Sequence, residues 1–213
     1  MRLSAFVKDR QSKVDYGRFH KPIDDWQGKY VFFDGSAAVE PEKLRGGPEP
    51  KDLDAFWSKR KARLAEVPLK ATLESVPEAS NDKVTVYAVS IACAGPRPVT
   101  GYLGIPTDVS RKYPGRVEFD PYSWNSVQKP PRTWEGSFVR LWINAHGYEL
   151  EREDEYYTEF YNAIKSNDRT FGLDSTWQNK STDTAYFGWM IYRIARALQY
   201  LKSFPEWNGK DLC

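Results

Sequence analysis

Cysteine and histidine are scarce in this chain, each occurring twice in 213 residues. Cys93 and Cys213 form neither a metal-ligand spacing nor a disulfide framework, so they read as a core thiol and a strand thiol. No stretch approaches the roughly 20 apolar residues that a bilayer span needs, and no membrane partner is expected. The 31 basic and 29 acidic residues are interleaved and leave a net charge of +2, so no basic block is available to neutralise a phosphate backbone. Nucleic acid is therefore not an expected partner. A phosphate-cradling glycine loop is also missing, as are internal repeats and low-complexity tracts. The acidic cluster Glu149 to Glu155 has no histidine at ligand spacing, and it reads as a solvated helix start favoured by the macrodipole. Neither metal nor cofactor is expected. Met1 to Arg10 is too charged for a signal peptide, which leaves localisation open if residues precede it.

Aromatic residues, by contrast, are plentiful, with 8 Trp and 13 Tyr in an aromatic share of 15%. Two readings stand side by side: a large aromatic core, and flat rings that cover the apolar faces of sugars. Residues 1 to 40 are polar apart from the strand-like run Tyr30-Val31-Phe32-Phe33. They read as an arm, or as the remnant of a preceding β-rich domain. Val39 to Pro50, with three prolines and two glycines among charges, reads as a linker into a second region, 41–213.

That region opens with a helix capped near Asp52 or Asp54 and stopped by Pro68. Val84 to Ala92 and Val99 to Ile105, joined across Gly95-Pro96, predict an antiparallel hairpin. Further strands are expected at Gly115 to Asp120 and Phe138 to Ala145, with a long Pro- and Trp-containing loop between them. Asp154 to Ile164 predicts a tyrosine-rich helix. A second helix is expected from Ser181 or Thr182, where Phe187, Met190, Ile191, Ile194, Leu198 and Leu201 recur at helical spacing before Pro205. Strands followed by alternating strand and helix predict an α/β sheet with an antiparallel start.

The chemistry is harder to find. A serine hydrolase needs a nucleophile, a base and an orienting acid. No Gly-x-Ser-x-Gly elbow occurs anywhere in the chain. His20 lies in the polar arm and reads as a surface residue. His146, at the end of a predicted strand, is a candidate base, but a structural or site-wall role fits it better.

Three ordered segments carry a family resemblance: Pro50-Lys51-Asp52-Leu53-Asp54-Ala55-Phe56-Trp57; Val99-Thr100-Gly101-Tyr102-Leu103-Gly104-Ile105-Pro106; and Asp183-Thr184-Ala185-Tyr186-Phe187 through Arg193 and Arg196 to Trp207-Asn208-Gly209-Lys210. Together they resemble the acetyl xylan esterase and cephalosporin-C deacetylase family, carbohydrate esterases with an α/β-hydrolase fold. The resemblance runs from about Val39 to Cys213. It implies that 41–213 is the front half of an α/β-hydrolase domain, with an incomplete sheet, antiparallel at first and then parallel, flanked by helices. In that family the segment resembling Trp207 to Lys210 leads into the central strand that delivers the nucleophile. The serine, aspartate and histidine of the triad thus have no counterpart here, and the chain is expected to be a fragment, inactive alone. The resemblance also implies that the Tyr122 backbone amide, in Asp120-Pro121-Tyr122, helps bind the oxyanion. His146-Gly147-Tyr148 is the second-ranked match to the same motif. Trp124 and Trp134 are expected to line the acetyl or sugar pocket. The expected partner is an acetylated saccharide, with self-association through an open sheet edge. The competing expectation is a non-catalytic carbohydrate-binding or scaffold protein.

Overall fold

In a computed structural model of the chain, the described residues are 23–24, 30–31, 43, 46–119, 127–131, 133–165 and 178–213. The chain divides into two compact units, Met1–Pro50 and Lys51–Cys213. In the first, β1 (Ile23–Asp24) pairs antiparallel with β2 (Tyr30–Val31), the start of the apolar run noted in the sequence.

The second unit opens with α1 (Leu53–Ala65). The Asp52 carbonyl accepts the Phe56 N–H at 2.8 Å to start it, while the Asp52 side chain makes no cap. Next comes β3 (Ala71–Ser75), a strand that the sequence did not announce, because Ala-Thr-Leu-Glu-Ser has no β-branched aliphatic run. It forms an edge of the sheet and buries little of itself, so its sequence is under weak demand. A single 3₁₀ turn, Pro77–Ala79, leads into β4 (Val84–Ile91) and β5 (Val99–Pro106). These pair antiparallel from Val84↔Pro106 to Ile91↔Val99, the hairpin that the two apolar runs across Gly95-Pro96 predict. Gly95 makes the turn possible, because its φ is +112° and a Cβ there would sit 2.6 Å from the Trp189 ring.

The remaining elements are β6 (Tyr113–Phe119), β7 (Val139–Asn144), α2 (Asp154–Ile164), α3 (Tyr186–Leu201) and β8 (Trp207–Leu212). Helix α3 starts later than its periodicity suggests. Ser181 and Thr184 join their hydroxyls at 2.9 Å and close a turn of their own, offering the backbone an alternative to the helix.

The six strands lie in the order β3-β4-β5-β7-β6-β8. The first three pairings are antiparallel and the last two parallel, so the sheet has the antiparallel start and parallel continuation expected of it. Helix α3 covers one face, where Ala197 and Leu201 pack on Val89, Val99, Leu103, Val139, Leu141 and Ile143. On the other face Tyr102, Val84 and Val86 pack beneath Val127, Trp134 and the 3₁₀ turn.

Strand β8 is the strand into which Trp207 to Lys210 was expected to lead. It is an edge strand among the described residues, half-buried at most, and its register against β6 is broken between Tyr113↔Trp207 and Gly115↔Leu212. The slack is taken up by Asn208–Asp211, where the Asn208 carbonyl oxygen of the side chain accepts the amides of Lys210 and Asp211 and Gly209 has φ +82°. Pairing then resumes, with the Cys213 N–H donating to the Gly115 carbonyl at 3.0 Å.

Candidate functional site

Because β7, β6 and β8 are parallel, their carboxyl ends meet at one edge of the sheet. The chain leaves β6 towards β7 on one side, while β8 lies on the other side, so connections diverge around β6. Such an edge is where open α/β sheets collect their ligands. Phe119, the last residue of β6, is 50% exposed there. Tyr122 and Trp124 follow it and fall in 120–126, outside the described residues.

Trp134 is described, and it is not a free stacking platform. It is only 6% exposed, and its ring lies so close over Gly104 that a Cβ there would come within 2.6 Å. The Arg140 guanidinium stands 4.8 Å above the ring centroid and occupies one face. Arg140 also clasps Glu118, with Nε donating at 2.8 Å and Nη2 at 2.5 Å to Oε2, while Arg116 pairs with Oε1 at 2.7 Å. Glu118, Trp134 and Arg140 border a cleft of about 520 Å3 that also reaches Phe119, Pro131 and Trp142. A carboxylate and the guanidinium paired with it beside aromatic rings suit a hydroxylated ligand, since they present both donors and acceptors around an apolar wall.

His146 lies in a different setting, buried in the loop after β7 at 1% exposure. The organiser of that loop is Asn144, the last residue of β7. Its Oδ1 accepts the amides of His146 at 3.1 Å, Gly147 at 2.5 Å and Tyr148 at 3.2 Å. Its Nδ2 donates to Thr100 Oγ1 at 2.5 Å and to the Tyr148 carbonyl at 3.2 Å. Gly147 takes φ +74°, and a Cβ there would strike the Pro98 carbonyl at 2.5 Å. The His146 ring bonds the Tyr186 hydroxyl through Nδ1 at 2.8 Å, while Tyr148 accepts the Val127 amide and packs edge-on against Tyr157 and Phe160. The Tyr148 amide, committed to Asn144, is aimed at the protein and not at a ligand. His146-Gly147-Tyr148 is thus a pinned structural turn.

Arg193 supports the same turn from α3. It is 1% exposed and donates through Nε to the Pro98 carbonyl at 3.2 Å and through Nη1 to the Ala145 carbonyl at 3.0 Å. Burial, with the nearby Arg97 charge, lowers its pKa to about 10, which still leaves it cationic at neutral pH. Arg193 stands in the third segment of the family resemblance, but nothing local in the sequence pointed to this bracing role. Asn144 had one, an Asn just ahead of a His-Gly turn, where short amide side chains bond the following backbone. Among the described residues no group of three or more His, Cys, Asp or Glu is placed to hold a metal ion. No helix among them is long and apolar enough to cross a membrane.

Comparison with known proteins agrees with this architecture. Residues 42–201 match the model of the acetyl xylan esterase (AXE1) family. The chain is 26% identical over 217 residues to acetyl esterase Axe7A of Xylanibacter ruminicola, an alignment that covers 97% of this chain and 48% of that protein. Two solved structures superpose with 78% of the chain: an acetyl xylan esterase from Paenibacillus sp. R4, with TM-score 0.55 and 20% identity, and acetyl xylan esterase 1 from Thermoanaerobacterium sp. JW/SL YS485, with TM-score 0.57 and 15% identity. The match covers 52% and 50% of those two chains, so this chain spans about half the length of its relatives. With the family model matched over most of its length, this chain belongs to the acetyl xylan esterase family.

Proposed function

We propose that this chain supplies the substrate-facing front half of a carbohydrate acetyl esterase. The observation that carries the reading is the parallel end of the sheet, in which β8 lies directly beside β6. In Ser-acyl chemistry the nucleophile sits on a sharp strand-to-helix elbow, and its oxyanion hole draws one amide from the residue after the serine and another from a nearby loop. A strand in the place of β8 is suited to deliver such an elbow. The segment after β6, with Tyr122, leaves from the neighbouring strand end. The proposed role of Tyr122 is to donate its backbone N–H to the ester oxygen as the tetrahedral intermediate forms. Pro121, which has no N–H of its own, leaves that amide as the available donor.

The second donor, the serine and its base are not among these 213 residues, which contain no Gly-x-Ser-x-Gly. The chain on its own is therefore expected to hydrolyse no ester by this route. Incubated with p-nitrophenyl acetate, it should match buffer apart from slow acylation of lysines. Saturable turnover that survives lysine modification would overturn the reading.

The Glu118–Arg140 pair and its aromatic wall favour a second reading, in which the chain binds acetylated xylan without reacting. In this reading Trp124 and Trp134 contact the sugar. Affinity electrophoresis through acetylated xylan distinguishes the two. Retardation lost in Trp124→Ala and in Glu118→Gln supports binding, and unretarded migration of the unmodified chain excludes it. Trp134→Phe is the informative change at its position, because removing a buried indole altogether tests folding instead.

A further inference from the structure

The sheet face opposite α3 carries a second cleft, of about 420 Å3, over β3, β4 and β5. Strand register sets its floor. Thr72 pairs with Ser90 and Ser90 with Thr100, while Glu74 pairs with Ala88 in the next row. Residues directly opposite in paired strands share a face, so these side chains stand side by side. Arg97, Glu149 and Tyr156 complete the border. Its volume falls within the roughly 300–1,000 Å3 typical of small-molecule sites.

This floor differs from the rest of the face in its unused polar groups. The Thr100 hydroxyl is engaged by the Tyr148 carbonyl at 2.5 Å, and Arg97 donates to the His146 carbonyl at 2.9 Å. The Thr72 and Ser90 hydroxyls and the Glu74 carboxylate have no side-chain hydrogen bond or ion pair among the described residues. Two carboxylates, Glu74 and Glu149, against the one guanidinium of Arg97 disfavour an anionic ligand. They suit a neutral molecule with neighbouring O–H groups, because a carboxylate accepts more than one O–H while a hydroxyl both donates and accepts.

Glu74 and Ala88 also belong to a longer cross-strand row that continues through Tyr102 and Trp142 to Glu118. Its far end borders the cleft beside β6, and the two clefts share no lining residue. Tyr102 is fully buried between them. Four strand spacings separate β3 from β6, which is roughly 19 Å along the row. We propose that the cleft over β3, β4 and β5 is a second saccharide subsite, which holds a neutral xylo-oligosaccharide through Glu74, Ser90 and Thr72. The choice of sugar rests on the reading of this chain as part of a carbohydrate acetyl esterase; the preference for a neutral, hydroxyl-rich ligand rests on the cleft alone. No acetyl group is required here, since the ester chemistry is assigned to the strand end of β6.

Calorimetric titration of the 213-residue chain with unacetylated xylotetraose tests the assignment. Saturable binding is expected, and it should survive Glu118→Gln, a change confined to the other cleft. Glu74→Gln should weaken it by about tenfold and Ser90→Ala by about threefold. Glu74 is exposed on an edge strand, so its substitution reads binding and not folding. If Ser90→Ala fails to fold, Glu149→Gln, also at an exposed position, takes its place with an expected loss of about threefold. No saturable binding of xylotetraose, or equal affinity in the unmodified and Glu74→Gln chains, would overturn the proposal. Binding that is lost in Glu118→Gln and unchanged in Glu74→Gln would overturn it too, while leaving the esterase reading intact. That reading falls by a different measurement, turnover of p-nitrophenyl acetate.

Discussion

The two faces of the sheet are built on different principles. Beneath α3 the strands present Val89, Val99, Leu103, Leu141 and Ile143, aliphatic side chains that are all 2% exposed or less. On the opposite face Val84 and Val86 add a smaller apolar cluster with Tyr102, and the strands also present Thr100, Asn144, Arg140 and Trp142, with Arg116 and Glu118 from β6. Burial of shape-matched hydrocarbon is non-directional, so the first face supplies stability without fixing where any one atom must sit. The second face adds donors and acceptors to its apolar cluster, and their geometry specifies positions: a turn pinned by Asn144, a phenol aimed at Glu151, an ion trio beside Trp134. Strands whose ends carry chemistry need the second kind of face, and the first keeps them in place.

Substitutions separate the two. On the aliphatic face, Leu141→Ala should cost most, about 2–5 kcal/mol, because the emptied volume lies under a helix that cannot follow it inward. Denaturant midpoints with an unchanged slope would report it, and a loss under about 1 kcal/mol would contradict the packing described. On the polar face, Asn144→Ala leaves three buried amides without their acceptor. A loss of about 2–3 kcal/mol is expected, together with faster hydrogen exchange at residues 146–148 and little change elsewhere.

The polar face should also dominate the alkaline response. Burial, then the Glu151 carboxylate, raises the Tyr102 pKa well above its ordinary value near 10. Above that pH the unfolded chain releases the phenol proton while the folded chain keeps it, so the unfolded state binds fewer protons and stability falls as pH rises. The slope from this one group is at most about 1.4 kcal/mol per pH unit. Melting curves between neutral pH and about pH 11 should show a shallower decline in Tyr102→Phe than in the unmodified chain. The smallest effect is expected at Glu118→Gln. The side chains there remain 24–42% exposed, and solvent screening holds the loss to about 0.5–1 kcal/mol, fading with added salt.

Much of this organisation was legible in the residues themselves. The β-branched and aromatic runs at Val84 to Ala92 and Val99 to Ile105, either side of Gly95-Pro96, specified the hairpin. The boundaries of α2 at Asp154 and Ile164 are those read from its acidic start and tyrosine repeat. The family resemblance rested on short segments spread along the chain, and the matched region 42–201 spans most of them. What escaped was set by distant neighbours. Strand β3 exists because β4 offers it an edge, and not because Ala-Thr-Leu-Glu-Ser favours extension. The late start of α3 is a local exception, set by two hydroxyls three residues apart that meet within a turn. Trp134 borders the cleft but is also packed on Gly104 of β5, a contact that no local pattern announces.

By itself, then, the amino-acid sequence determined the strand and helix periods, the family, and the lack of a nucleophile elbow within these residues, because each is a local or ordered property of the chain. Only the tertiary structure decided which polar groups are buried and what they face. His146 became part of a pinned turn, Arg193 a brace for it, and Arg60 a buried cation that ties α1 to the Thr182 carbonyl. The physical reason is that burial and hydrogen-bond partnership are made between segments far apart in sequence, as Arg60 and Thr182 are, and no local pattern encodes which of them will meet.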